Sequence, residues 1–223
     1  MLRRYSLASL VALSALAASA AAQTITFEDL GPAGAAPKGF TAATTNKGKP
    51  AEWKLQEVAG APSGRLAVAQ VSVDKPSARF PLLVYDAVTA VDGDVTVKFK
   101  AVSGVEDQAA GIIWRYTDPN NYYIVRANAL EDNVVLYIVK DGKRVDLPVK
   151  GKGKTYGAKA PVSKTDWGTL GIQVRGDTFT VILNGNTLYQ VEDKTFKGPG
   201  KFGLWTKADS VMLFDDMTIE NAK

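Results

Sequence analysis

The sequence predicts an all-β protein, a two-sheet antiparallel sandwich of jelly-roll type, on three observations. Roughly a dozen short runs rich in Val, Ile, Thr, Tyr and Phe follow one another at close spacing. Turn formers separate them: Asp118-Pro119-Asn120-Asn121, Asp141-Gly142, Gly176-Asp177 and Asn184-Gly185-Asn186. No segment beyond the N-terminus sustains a helical apolar period. Short antiparallel strands in such number must stack as two layers to bury their apolar faces.

Residues 1–22 have the form of a secretory signal. Arg3 and Arg4 are basic, 7–18 is apolar, and Ser19-Ala20-Ala21-Ala22 offers small residues for cleavage after Ala22. The apolar run falls short of the roughly 20 residues that a membrane helix needs, and no later run reaches that length. A single secreted or periplasmic unit over 23–223, without membrane insertion, is therefore expected.

Within it, 23–30 alternates and starts the first strand. Residues 31–50, rich in Gly, Ala, Pro, Thr and Lys, are expected to be one long loop. Strand-like pieces follow from Trp53 and over 65–71, 78–84 and 94–102. A triplet over 109–137 comes next, with a further hairpin at Asp141-Gly142. Strands over 169–175, 178–183, 187–191, 201–206 and 211–219 complete the set.

Composition excludes several chemistries. The chain has no Cys and no His, so thiol nucleophiles, imidazole bases and His-ligated zinc are absent. Without disulfides, stability must come from a core, which about 200 residues can supply. The formal charge of +4 includes Arg3 and Arg4, so the expected mature chain is nearly neutral. Lys150, Lys152, Lys154 and Lys159 lie among glycines and read as a solvated loop, with no nucleic-acid partner implied.

The triplet carries the candidate site. On 110–117, Ile112, Trp114 and Tyr116 alternate with Ile113 and Arg115; on the next strand Tyr122, Ile124, Arg126 and Asn128 share a face. Pairing Thr117 with Tyr122 puts Trp114 opposite Val125 in the core and gathers Arg115, Tyr122, Arg126 and Asn128 on one polar face. Further on, Trp205 and Lys207 share a strand face, followed by Asp209 in a turn. Flat rings beside amides and guanidinium groups suit carbohydrate, since rings stack on sugar faces while the polar groups bond hydroxyls. The competing reading is that Arg126 sits in a structural ion pair.

The runs GIIWRYTDPNNYYIVRANALEDNVVLY, Trp167-x-x-Leu170-x-Ile172-x-Val174, LNGNTLYQVED and GKFGLWTKADSVMLFDD resemble the concanavalin A-like lectin and glucanase superfamily. Within it the chain is most similar to secreted laminin G-like and keto-disaccharide hydrolase-like domains, from about Trp53 to Ile219. The resemblance implies carbohydrate binding, a keto-disaccharide or related glycoside hydrolase, or a laminin G-type module that binds a protein. The Glu-x-Asp-x-x-Glu strand of laminarinase-type relatives is missing. No catalytic residue is therefore assigned, and carbohydrate binding without catalysis is the expected function.

The resemblance also implies a structural calcium between the first and last strands. Strict alternation over 211–219 puts Asp215 in line with Val211, Leu213, Met217 and Ile219, a costly place for a carboxylate. Glu28, Asp29 and Asp215 are the candidate calcium ligands. The alternative is a carboxylate that accepts backbone N–H groups at a strand corner.

Overall fold

The computed structural model describes residues 22–223, and these form strands, turns and loops without a helix. Residues 1–21 of the segment read as an export signal lie outside the described residues. In chain order the strands are β1 (Gln23–Ile25), β2 (Phe40–Thr45), β3 (Trp53–Glu57), β4 (Leu66–Gln70), β5 (Phe80–Ala90) and β6 (Gly93–Ser103). Then come β7 (Ala109–Asp118), β8 (Asn121–Asn128), β9 (Asn133–Lys140), β10 (Lys143–Asp146) and β11 (Ala158–Lys159). The last are β12 (Gly168–Arg175), β13 (Thr178–Leu183), β14 (Asn186–Glu192), β15 (Gly200–Thr206) and β16 (Val211–Glu220).

They form two antiparallel sheets of eight strands, as the strand count and turn spacing predict. The first runs β14-β13-β12-β6-β16-β4-β3, with β1 beside β16. The second runs β10-β9-β8-β7-β15-β5-β2, with β11 beside β9. Tight turns follow the sequence signals: Asp141 and Gly142, and Asn184 and Gly185, all take the positive φ that short hairpins demand. One expectation is corrected. Residues 40–45, assigned to a long loop, form β2, which pairs with β5 from Phe40 opposite Tyr85 to Thr45 opposite Phe80. FTAATT has no apolar alternation to announce a strand; the edge of β5 supplies the order.

The main core lies between the sheets. Trp114 stacks on Tyr123, with ring centroids 5.4 Å apart, and meets Phe179 of the opposite sheet edge-on at 5.2 Å. Each large apolar side chain so buried contributes about 1.5–3 kcal/mol. A second apolar cluster, including Phe80, Ile113, Tyr122, Tyr137 and Trp205, lies wholly on strands of the second sheet. It occupies the face turned away from the first sheet. Gly111 makes room for it: a Cβ there would sit 2.4 Å from Ile124 and 3.2 Å from the Trp205 ring.

Two bulges reset the alternation. In β7, Trp114 pairs with Tyr123 and Asp118 with Asn121, with a register shift between them and Arg115 at φ 48°. The expected pairing of Thr117 with Tyr122, and of Trp114 with Val125, is therefore replaced; Val125 faces Ile112. In β16 the register shifts between Asp215 and Thr218, with Asp216 at φ 46°. Met212, Phe214, Met217 and Ile219 enter the core, so Asp215 does not share their face.

Candidate functional site

The second sheet is rolled into a trough. Arg144 on β10 and Phe80 on β5 are five strand spacings apart in the sheet, about 24 Å if it were flat. Yet the Arg144 guanidinium carbon lies 4.9 Å from the Phe80 ring centroid. It also lies 4.4 Å from the Tyr137 ring and 5.7 Å from that of Trp205. The free face of this sheet is thus concave, with Trp205 on its floor beneath Arg144.

A hydrogen-bonded polar group occupies the other end. Arg126 Nη2 donates to Glu131 Oε2 at 2.8 Å, to Tyr137 Oη at 3.1 Å and to Tyr156 Oη at 3.2 Å, while Nη1 donates to Asn133 Oδ1. Asn133 Nδ2 returns to Glu131 Oε2 at 3.0 Å. Close by, Asn128 Nδ2 donates to Asp107 Oδ1 at 2.8 Å, and Lys207 Nζ pairs with Asp107 Oδ2. Burial disfavours the charged form of Glu131. The charge and hydrogen bond of Arg126, with help from Asn133 and Lys207, outweigh it and hold the carboxyl below the usual range. A cleft of about 440 Å³ opens here, lined by Leu130, Glu131, Asn133, Thr155, Tyr156 and Lys159. Leu130 is 38% exposed and Tyr156 46% exposed, which leaves an apolar edge and a ring at its mouth.

Of the residues singled out from sequence, Tyr122, Arg126, Asn128, Trp205 and Lys207 come together on or beside this trough. Three assignments need correction. Arg115 belongs to the opposite face, because the bulge sends it inward with Trp114. There its Nε donates to Val91 O at 3.0 Å, and its Nη atoms donate to Phe196 O and Gly176 O at 2.6 Å each. Trp205 is fully buried under Arg144 and offers no open stacking surface. Tyr122 is also sealed, its hydroxyl 2.7 Å from Thr45 Oγ1. Arg126 has the carboxylate partner that the structural reading anticipates.

Several residues of the site went unread in the sequence. Glu131 and Asn133 lie in a stretch read only as a separator between strands. Tyr156 lies in the Gly-Lys loop, and Arg144 on the short β10. A Tyr amid glycines and lysines was the one available signal, since an aromatic in a solvated loop has no packing reason to be there.

The candidate calcium ligands do not assemble an oxygen cage. Asp215 accepts Ser63 N at 2.9 Å through Oδ2 and Asp216 N at 2.8 Å through Oδ1. Glu28 Oε1 accepts both Arg65 N and Leu66 N. Asp29 is exposed. The two acids thus brace one turn, 63–66, from its two ends, and a cation would have to displace those donors.

Burial pushes the Asp215 carboxyl up to about 6 against the opposing pull of its backbone donors. A folded-state value above the unfolded one, about 3.9, means that the folded chain binds the extra proton. Stability should therefore rise as pH falls from 7 towards 4.5, by at most about 3 kcal/mol. Asp86, Asp209, Asp216 and Glu131, all lowered, begin to oppose this below about pH 5. Melting curves across pH should show this slope in the wild type and not in Asp215→Asn; a flat wild-type profile contradicts it.

Fold and trough define a concanavalin A-like jelly roll of the lectin and glucanase kind. The chain belongs to the 3-keto-alpha-glucoside-1,2-lyase-like domain family, which matches residues 38–220. The match begins ahead of the stretch in which the sequence resemblance is visible and takes in β2. No curated protein matches the chain. Among solved structures it is similar to the carbohydrate binding module CBM66 from Bacillus subtilis, with a TM-score of 0.59 and 21% identity over 82% of this chain and 95% of that one. A protein of unknown function from Shewanella oneidensis gives a TM-score of 0.55 at 16% identity, covering 94% and 89%. Domain 4 of AbnA, an extracellular arabinanase from Geobacillus stearothermophilus in complex with arabinotriose, gives 0.50 at 13% identity, covering 82% of each chain. At these identities the likeness is one of fold.

Proposed function

We propose that the protein is an exported carbohydrate-binding jelly roll whose trough holds a glycan without cleaving it. The observation that carries this reading is the cleft at Arg126, where an exposed ring and an exposed Leu flank hydrogen-bonding groups already fixed in place. A sugar ring can lie on Tyr156 while its hydroxyls reach Glu131, Asn133 and Lys159. The folds of the binding module and of the arabinanase domain support the same reading. Two features favour binding over processing. The chain has no His or Cys, and Glu131 and Asp107, the carboxylates at this end, are each tied to a cation. The Glu131 carboxyl, held low by Arg126, is a poor proton donor at neutral pH.

Titration calorimetry against a panel of oligosaccharides tests the reading. Tyr156→Ala should weaken binding about tenfold, equivalent to about 1.4 kcal/mol, and leave the melting temperature nearly unchanged. If no glycan in the panel binds the wild type, the reading is wrong.

The family match favours a second reading, a lyase or hydrolase acting on 3-keto-glucosides. Incubation with a 3-keto-disaccharide separates the two. Release of the aglycone sugar, lost in Glu131→Gln, would replace binding alone with catalysis.

A further inference from the structure

Arg144 is a cation without a counter-ion. Its guanidinium lies against Phe80, Tyr137 and Trp205, and its Nη1 is buried with no hydrogen-bond partner. The three fully buried arginines are treated differently. Arg79 and Arg115 donate to three or more oxygens each, and Arg126 pairs with Glu131. Among the described residues neither Arg144 nor its neighbour Lys143 forms an ion pair, although Asp146 shares the Arg144 face of β10. A half-buried cation with one donor nitrogen held away from water and left unmatched is a poor device for stability, and a good one for meeting an incoming acceptor.

The surroundings are suited to that acceptor. Arg144, Lys143, Ser77 and Phe80 line a cleft of about 450 Å³ closed by Asn46 and Gly142. No carboxylate lines it. The clefts containing Asp92, Glu131, Asp177 and Glu57 each carry at least one. Ser77 is exposed, so its hydroxyl is available beside the two cations. Asn46 is already committed, its Nδ2 donating to Ala78 O and Gly142 O, so it frames the opening and does not compete for a ligand. The buried Tyr137 ring links this cleft to the proposed glycan site. The Tyr137 ring lies between two guanidinium groups, 5.8 Å from that of Arg126 and 4.4 Å from that of Arg144.

We propose that this end of the trough is an oxyanion subsite, and that the glycan bound is acidic, carrying a uronic acid carboxylate or a sulfate ester that Arg144 and Lys143 receive. The inference rests on the carbohydrate-binding reading and narrows its substrate class. The planar fork of Arg144 presents paired donors to either group, and Lys143 adds an untargeted positive charge. The rings that hold the guanidinium fix its plane, so the anion is met by a group already oriented.

The test compares ligands that differ in charge and little else. Calorimetry on the folded chain would use an oligogalacturonate, its methyl ester, a sulfated galactan oligosaccharide and inorganic sulfate. At least one acidic saccharide should bind tenfold or more tighter than the methyl ester, and more weakly as salt is raised. Arg144→Gln should bring acid and ester to equal affinity, while Arg144→Lys keeps part of the preference. The two variants should melt close to the wild type; if Arg144→Gln fails to fold, Arg144→Lys with the salt series decides. Equal binding of acid and ester by the wild type overturns the inference and leaves carbohydrate binding standing. Sulfate bound without any saccharide overturns the glycan part, and no binding in any arm overturns both. Carboxylate against sulfate preference identifies which acidic sugar is received.

Discussion

Replacing Arg115 by alanine should cost about 3–5 kcal/mol of folding stability and leave glycan affinity of the folded protein unchanged. The guanidinium is 1% exposed and joins three separate segments by donating to Val91 O, Phe196 O and Gly176 O, with Asp92 Oδ1 at 3.5 Å. Alanine leaves those carbonyls facing a void where water has little access, and each buried acceptor without a donor is expensive. It also removes the cation lying 5.5 Å from the Phe179 ring. Against a total stability of roughly 5–15 kcal/mol, such a loss is severe. Urea unfolding measures it, and calorimetry on the folded fraction checks the affinity. An unchanged midpoint with lost affinity would return Arg115 to the ligand site.

Asp209→Ala should be nearly as damaging, about 3–4 kcal/mol, for a related reason. The Asp209 carboxylate is 3% exposed and accepts Val105 N at 2.8 Å and Glu106 N and Asp107 N at 3.1 Å each. Burial disfavours its charge, and those backbone donors more than compensate, keeping the carboxyl below its ordinary range. Removing it frees the 104–107 loop and with it Asp107, the partner of both Lys207 and Asn128. Asp209→Asn retains one acceptor oxygen and should lose less. Thermal melts rank the three proteins, and equal melting of all three would show that the loop does not depend on this carboxylate.

The elements that sequence revealed are those with local causes. Alternation places β6, β7, β8, β12, β13 and β16 to within a few residues, and paired turn residues place the hairpins. β2 was hidden because FTAATT owes its strand to the neighbouring β5. The register of β7 against β8 was hidden for a different reason. Arg115 and Asp216 adopt positive φ without being glycine, Asn or an obvious turn former in context, so nothing in a strand pattern reveals the bulges there. Three residues of β7 set against one of β8 were enough to move Arg115 from the expected polar face to the interior.

The site was legible to the extent that it lies on strands. Arg126, Asn128 and Lys207 were recognisable as polar groups that a central sheet would not carry idly. Glu131, Asn133 and Tyr156 are their partners through folding, separated by turns and a glycine-rich loop whose path no pattern fixes. Arg144 is the clearest case of tertiary origin, because only the curl of the sheet brings it over Phe80.

The mutual anchoring of Arg126, Glu131, Asn133, Tyr137 and Tyr156 bears on how occupancy would look. A visitor meets a fixed relief, with few pliant side chains to be quieted on arrival, so little motional freedom is surrendered. Free and loaded forms should then superimpose closely along β8 and β9, and discrimination should come from the contour of the opening.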